Sequence, residues 1–143
     1  MFAAFFKPKC NNIGFEDVQF AIQNPEQFLV INTLTANEQD CLISTTVSDK
    51  EEETILNQLI SDYDVATKQV VIYGKHSADN SALDKYNQLY SLGFQNVFLY
   101  RGGMLEWMLL QDVYGADEFP TTKKILDILK FKPLRQFGGL YIT

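Results

Sequence analysis

The chain is poor in the residues that bind metals or build disulfide frameworks. It has two cysteines, Cys10 and Cys41, and a single histidine, His76, in 143 residues. Two cysteines so placed make neither a disulfide framework nor a metal site, and one histidine adds little to a zinc set. No metal and no cofactor is expected. Free thiols fit a reducing, intracellular setting, most simply the cytoplasm. Positive charge is also scarce, with 12 Lys and Arg against 18 Asp and Glu and a formal net charge of −6. That argues against nucleic acid or an anionic membrane as the main partner, because phosphate binding needs clustered basic residues. No apolar run is long enough to span a bilayer. The apolar opening, Met1 to Phe6, is short and has no basic segment ahead of it, so it does not read as a signal peptide. It is expected to pack on the domain or on a partner. What the chain does have is hydrophobic residues, 46% of the total, with 13% aromatic. That composition argues for an ordered core of single-domain size.

Helical and strand patterns alternate along the sequence. Phe15 to Asn24 reads as a helix with Phe15, Val18 and Ile22 on one face and Pro25 beyond its end. Phe28 to Ile31 is a continuous apolar run of the kind buried on both faces of a parallel sheet. A weaker strand is expected near Leu42-Ile43. Ser48 and Glu51 have capping-box spacing, ahead of a helix expected to bury Ile55, Leu56, Leu59, Ile60 and Tyr63. Val70 to Tyr73 is the clearest strand. Asp79 or Asn80 can cap the next helix, with an expected inner face of Ala82, Leu83, Tyr86, Leu89 and Tyr90, and Gly93 ends it. Val97 to Leu99 is a further strand. Gly102-Gly103 then turns the chain into a helix carrying Leu105, Trp107 and Met108. Strand, helix, strand with short links implies parallel crossovers and an α/β layered fold with helices on both faces. Beyond this, Pro120-Thr121-Thr122 reads as a helix start, with Ile125, Leu126 and Leu129 as its apolar stripe and Pro133 as its stop. Leu134 to Thr143, with Phe137, Leu140 and Tyr141, is apolar enough to be expected against the domain or another chain.

The pattern Gly93-Phe94-x-Asn96-Val97-x-Leu99-x-x-Gly102-Gly103-x-x-x-Trp107, placed after the strand Val70 to Tyr73 and the loop Gly74 to Asn80, resembles the second half of a rhodanese domain. The resemblance runs roughly from Ile13 to Trp107. It implies a five-stranded parallel sheet flanked by helices on both faces. The expected division is a rhodanese-like domain over residues 1–115 and a C-terminal, helical extension over 116–143. In that reading Gly93, Gly102, Gly103 and Trp107 are structural. Tyr73-Gly74-Lys75, together with Phe119 to Thr122 and Leu126 to Pro133, is also similar to a divergent rhodanese-like group of large DNA viruses of protists. For a viral protein the virion would be a further possible location.

Members of the family with sulfurtransferase activity carry a cysteine directly after the strand and an arginine five residues on. Here those positions hold Gly74 and Asp79. The end of the earlier strand resembles the family's Asp-x-Arg, with Asn32 and Leu34 in place of both charges. Around Asp40 to Ile43, where the family's Gly-His-Ile would fall, the match is poor. In an active member the loop's N–H groups and the following helix N-terminus lower the pKa of the thiol and hold an anion. That chemistry needs a sulfur nucleophile. The loop here, Gly74, Lys75, His76, Ser77, Ala78, Asp79 and Asn80, contains none. Asp79 is expected to accept the free N–H groups itself, and Lys75 does not replace a bidentate guanidinium.

No catalytic residue is therefore assigned. His76 reads as a solvated loop histidine against the alternative of a general base, and Cys41 as a small buried residue against that of a displaced nucleophile. Arg101 is expected at the loop side of the sheet. The expected role is a non-catalytic protein-interaction, regulatory or structural module, with another protein or a second copy of itself as partner. The alternatives are a sulfurtransferase or cysteine-phosphatase-like enzyme with a displaced nucleophile, and a small-anion sensor.

Overall fold

The computed structural model describes residues 10–138. Four parallel strands form one sheet in the order β1-β4-β3-β2. They are β1 (Asn12–Ile13), β2 (Phe28–Asn32), β3 (Gln69–Tyr73) and β4 (Val97–Tyr100). The pairing brings Phe28 opposite Gln69 and Asn32 opposite Tyr73, while Tyr73 lies opposite Tyr100 and Ile13 opposite Tyr100 on its other side. The ends of β2, β3 and β4 therefore share one edge, where parallel α/β sheets place their sites.

Helices cover both faces. Helices α1 (Phe15–Gln23) and α4 (Gly103–Tyr114) pack on one, through Val18, Ala21, Met104, Trp107 and Met108 against Val30, Val71, Tyr73 and Tyr100. Helices α2 (Asp49–Ser61) and α3 (Ser81–Ser91) pack on the other, through Leu56, Ala82, Tyr86 and Leu89 against Leu29, Ile31, Val70, Ile72 and Leu99. The strand interiors are apolar on both sides because both sides are covered. Ser48 caps α2, accepting from the Glu51 amide at 3.2 Å. Gly93 takes φ +103° just past the end of α3, the left-handed turn that glycine adopts without penalty. Tyr63 and Tyr90, expected to point inward, are exposed. Tyr63 lies past the end of α2 in a left-handed turn at φ 57°, which carries its ring away from the core.

Among the described residues the sheet has four strands, not the expected five. The strand anticipated near Leu42-Ile43 is reduced to one parallel bridge, Thr46 with Val30. Thr45 adopts φ 70°, which interrupts the extended geometry a longer edge strand needs. Its neighbours pair elsewhere: Ser44 donates to the Pro120 carbonyl at 3.1 Å and Thr122 to the Leu42 carbonyl at 2.8 Å.

The C-terminal extension also differs from expectation. Residues 120–127 form no helix, and the only helical turn among its described residues is the 3₁₀ turn Ile128–Phe131. Pro120 and Thr121 instead lie alongside Ile43, with Thr121 bridged to it. Of the expected stripe only Ile125 packs against the core; Leu126 and Leu129 are exposed. Phe119 and Phe131 are the anchors, both buried in the core shared with Trp107. Trp107 packs edge-on to Phe119 at 5.0 Å and to Tyr100 at 6.1 Å, and its indole N–H donates to the Pro120 carbonyl at 3.2 Å. The segment is held by two aromatic plugs and a few backbone bonds rather than by helical periodicity. Past Pro133, Leu134 and Phe137 are exposed. The apolar opening Met1 to Phe6, and Leu140 and Tyr141, lie outside the described residues.

Candidate functional site

The loop Gly74–Asn80 leaves the end of β3 and enters α3, at the carboxyl edge of the sheet. It is shaped from beneath by α4. The Met104 amide donates to the Gly74 carbonyl at 3.0 Å, and the Leu105 amide to the Lys75 carbonyl at 2.9 Å. This close approach requires Gly103. It takes φ +65°, and a Cβ there would lie 2.7 Å from the Gly74 oxygen and 3.1 Å from the His76 nitrogen. With the loop carbonyls held by α4, the N–H groups on the other side are left for the loop interior.

Asp79 fills that interior. Its carboxylate accepts from the Ser81 amide at 3.0 Å and, across the loop, from the Lys75 amide at 3.3 Å. The pull of partial burial raises its pKa, but hydrogen bonds from the Ser81 amide and hydroxyl, the Lys75 amide bond and the nearby His76 outweigh it, leaving the group below the usual carboxylate range. Asn80 stands at the N-cap of α3 without a side-chain capping bond, so the capping contribution comes from Asp79.

Gly74 is buried. An added Cβ would meet the Thr33 hydroxyl at 3.1 Å, the Asp79 carboxylate at 3.2 Å and the Ala82 methyl at 3.3 Å. The Thr33 hydroxyl is itself engaged, 2.8 Å from that of Ser81. The hollow bounded by Gly74, His76, Asp79, Ala82 and Arg101 holds only about 10 Å³, at the lower limit for one water.

The loop's one cation is paired outward. Lys75 Nζ lies 2.7 Å from Glu38. Burial works to raise the Glu38 pKa, but hydrogen bonds from Lys75 and Thr35 hold it below its ordinary value. His76 accepts a hydrogen bond at Nδ1 from the Ala78 amide at 3.1 Å, so it closes a local turn. Among the described contacts it makes none to Ser77, which is exposed. Arg101 lies at the loop side of the sheet, bordering the hollow, and its Nε donates to the Asn12 side chain at 3.1 Å. Cys41 is not brought to the loop. It is buried among the residues that seat the extension, donates to the Lys123 carbonyl at 3.2 Å, and has its thiol pKa raised chiefly by burial.

Above the loop lies an open cleft of about 520 Å³. Thr33, Thr35 and Glu38 form one wall, Lys75, His76 and Ala78 to Ser81 the floor, and Pro133, Leu134 and Gln136 of the extension the other wall. The sequence reading found the floor and missed both walls. Ser81 and Thr33 carried only a weak signal, a small polar residue at a helix start and one at a strand end. Glu38 and the extension carried none, because nothing local places them at the loop. Asn32, where the resemblance expects a charged residue, is buried and turns its carbonyl oxygen to the Leu34 amide at 3.0 Å. Among the described residues no group of three or more His, Cys, Asp or Glu could hold a metal ion, and no helix is long and apolar enough to cross a membrane.

Comparison with known proteins agrees with this geometry. The rhodanese-like domain family matches residues 41–110, from the bridge region through α3, β4 and most of α4. No curated protein matches the chain in sequence. Among solved structures, a yeast protein tyrosine phosphatase of the rhodanese family is similar at TM-score 0.59 and 16% identity, over 86% of this chain and 99% of that one. A single-domain sulfurtransferase of Saccharomyces cerevisiae is similar at TM-score 0.55 and 16% identity, over 80% and 99%. An As-Sb reductase from Leishmania major is similar at TM-score 0.54 and 16% identity, over 74% and 82%. At these identities the likeness speaks for the fold alone. The chain has a rhodanese-like α/β fold, and its residues 41–110, with Gly74 at the head of the loop, match that domain family.

Proposed function

We propose that this rhodanese-like domain is catalytically silent and works as a protein-interaction or structural module. The observation that carries the reading is the Asp79 carboxylate, bonded to the Lys75 and Ser81 amides inside the loop. A loop of this kind attracts an anion through unpaired N–H groups and a helix N-terminus. Here an acid of the chain itself takes those donors, and an incoming thiosulfate or phosphate meets its charge. Gly74 supplies no nucleophile, and Lys75 is neutralised by Glu38. The related folds include a sulfurtransferase, a phosphatase and a reductase by name, so the scaffold is compatible with group-transfer chemistry. The residues of this loop are not. Cys41 is a poor substitute, being buried with a raised pKa, because the thiolate is the reactive form.

A binding role draws support from exposed apolar side chains. Leu109, Val113 and Tyr114 lie exposed on α4, and Leu134 and Phe137 on the extension. Exposed apolar surface of this kind marks interfaces where it is contiguous. The test of silence is direct. The purified chain is assayed for thiosulfate-to-cyanide sulfur transfer and for aryl phosphate hydrolysis. No turnover above the buffer rate is expected, and turnover abolished by Cys41→Ser would overturn the reading. For the binding half, the chain is used as bait in its native source, and its mass is measured in solution. A strictly monomeric protein that recovers no partner would count against a docking role.

A further inference from the structure

The amino ends of the strands, at the far end of the sheet from the loop, border an open groove of about 300 Å³ on the face that α1 covers. Its lining is largely aromatic: Phe20 of α1, Phe28 at the start of β2 and Phe98 of β4, together with Ile13 and Val71. Phe20 is half exposed, and its ring stands at 84° to that of Phe28 with centroids 5.8 Å apart. The two rings therefore make a corner. Asp17, three residues before Phe20 on α1, is the one ionisable group in the lining. Among the described residues it makes no ion pair, and no basic residue lines the groove with it. Cys10 and Asn11, just before β1, do not cover the groove. Cys10 packs on the core of the opposite face, and the Asn11 amide donates to the Tyr86 hydroxyl of α3 at 3.1 Å.

We propose that this groove binds a small organic cation bearing a quaternary, methylated ammonium group. Three phenylalanines and one carboxylate are the chemistry that recognises such a group. Aromatic rings carry negative faces and attract a cation, more strongly once it has shed its water. Asp17 supplies the counter-charge. A metal ion or a plain ammonium is held back by its hydration, because apolar walls give too few oxygens to replace the lost water. A quaternary ammonium spreads its charge over methyl groups, which lie against rings without giving up hydrogen bonds. Two features favour a free small molecule over a side chain of a partner protein. The volume is at the small end of the roughly 300–1,000 Å³ usual for ligand clefts. The strands beneath are paired with one another, so no backbone edge is free in the groove to hold an extended peptide. The site lies away from the Gly74 loop and is independent of its chemistry.

The test uses the full chain in solution. Tetramethylammonium chloride and choline chloride are titrated in at matched ionic strength while methyl and aromatic resonances are followed. Saturable shifts are expected at Ile13, Val71 and Phe98, with none at Ala82 and Leu83 beside the loop. The uncharged isostere of choline, in which carbon replaces nitrogen, should bind at least about fivefold more weakly, and ammonium chloride should leave these resonances in place. Phe20→Leu keeps an apolar wall but removes a ring. It should weaken choline by about fivefold and leave the uncharged isostere unaffected. Asp17→Asn, at an exposed position that the fold does not depend on, should weaken choline by about two- to fivefold. Absence of saturable shifts in the parent would overturn the proposal, as would equal binding of the uncharged isostere or unchanged affinity for choline in both variants. A short peptide carrying trimethyl-lysine is the last probe. Binding at least about tenfold tighter than choline would assign the groove to a partner protein and equally overturn the proposal.

Discussion

The underside of the loop and its interior have been treated differently in this protein. Beneath, the Met104 and Leu105 amides hold the loop carbonyls, and Gly103 allows the approach. Every part of that support is present. Inside, the loop has Gly74, a self-capping Asp79, an outward-paired Lys75 and a histidine that closes a turn. The support is backbone geometry and depends on a few glycines and on core packing. The interior is side-chain chemistry and depends on charge. A fold can keep the first while changing the second, because each loop side chain costs the core almost nothing.

Three experiments would break or sharpen this contrast. The largest effect is expected at Gly103→Ala. A residue with a Cβ at φ +65° is strained by about 1–3 kcal/mol, and the contact at 2.7 Å with the Gly74 oxygen adds to that. The denaturation midpoint is expected to fall, with loss of amide protection at Met104 and Leu105. A variant as stable as the parent would mean that the loop is not braced from below.

The second is Gly74→Cys combined with Asp79→Arg. Position 74 does not need positive φ, and removing the carboxylate relieves one of the three close contacts to a new Cβ. If the backbone donors are intact, the new thiol should titrate at least about one unit below the ordinary value of about 8.5. The rate of alkylation against pH measures this, with a Cys41→Ser background to isolate the signal. An ordinary thiol pKa would show that the interior has lost its geometry along with its charges.

The smallest effect is expected for Asp79→Asn. Losing the negative charge at the helix N-terminus, with an amide oxygen still there to accept, costs about 0.3–1 kcal/mol. The carboxyl's pKa in the folded chain is below its ordinary value. Its contribution is therefore present above the unfolded-state pKa of about 3.9 and is lost as pH falls through the lower, folded value. Urea titrations should show the gap between parent and variant at neutral pH, and the gap should shrink in acid below the usual carboxylate range. A gap independent of pH would assign the effect to shape rather than charge.

The sequence was most informative where one local cause suffices. Val70 to Tyr73 could only be a buried strand, and Gly93 and Gly102-Gly103 mark turns that need glycine or a close approach. Asp79 as the acceptor of loop amides was legible because helix N-termini have free donors wherever they occur. The errors fall where long-range partners compete. Leu42-Ile43 has strand character, but Thr45 and the pairing of residues 42–44 with 120–122 leave a single bridge to the sheet. Residues 120–131 have a helical spacing of apolar side chains, yet Phe119 and Phe131 are drawn into the core around Trp107 instead.

By itself, then, the amino-acid order set the succession of strands and helices, the glycine turns, and the absence of sulfur at the loop head. Those follow from backbone sterics, apolar periodicity and the identity of single side chains, all of them local. Only the folded chain decided that Glu38 would take the charge of Lys75, that the extension would wall the cleft, and that the fifth strand would dwindle to a bridge. These depend on residues far apart in sequence meeting in space, and which contact wins is settled by the packing of the whole core.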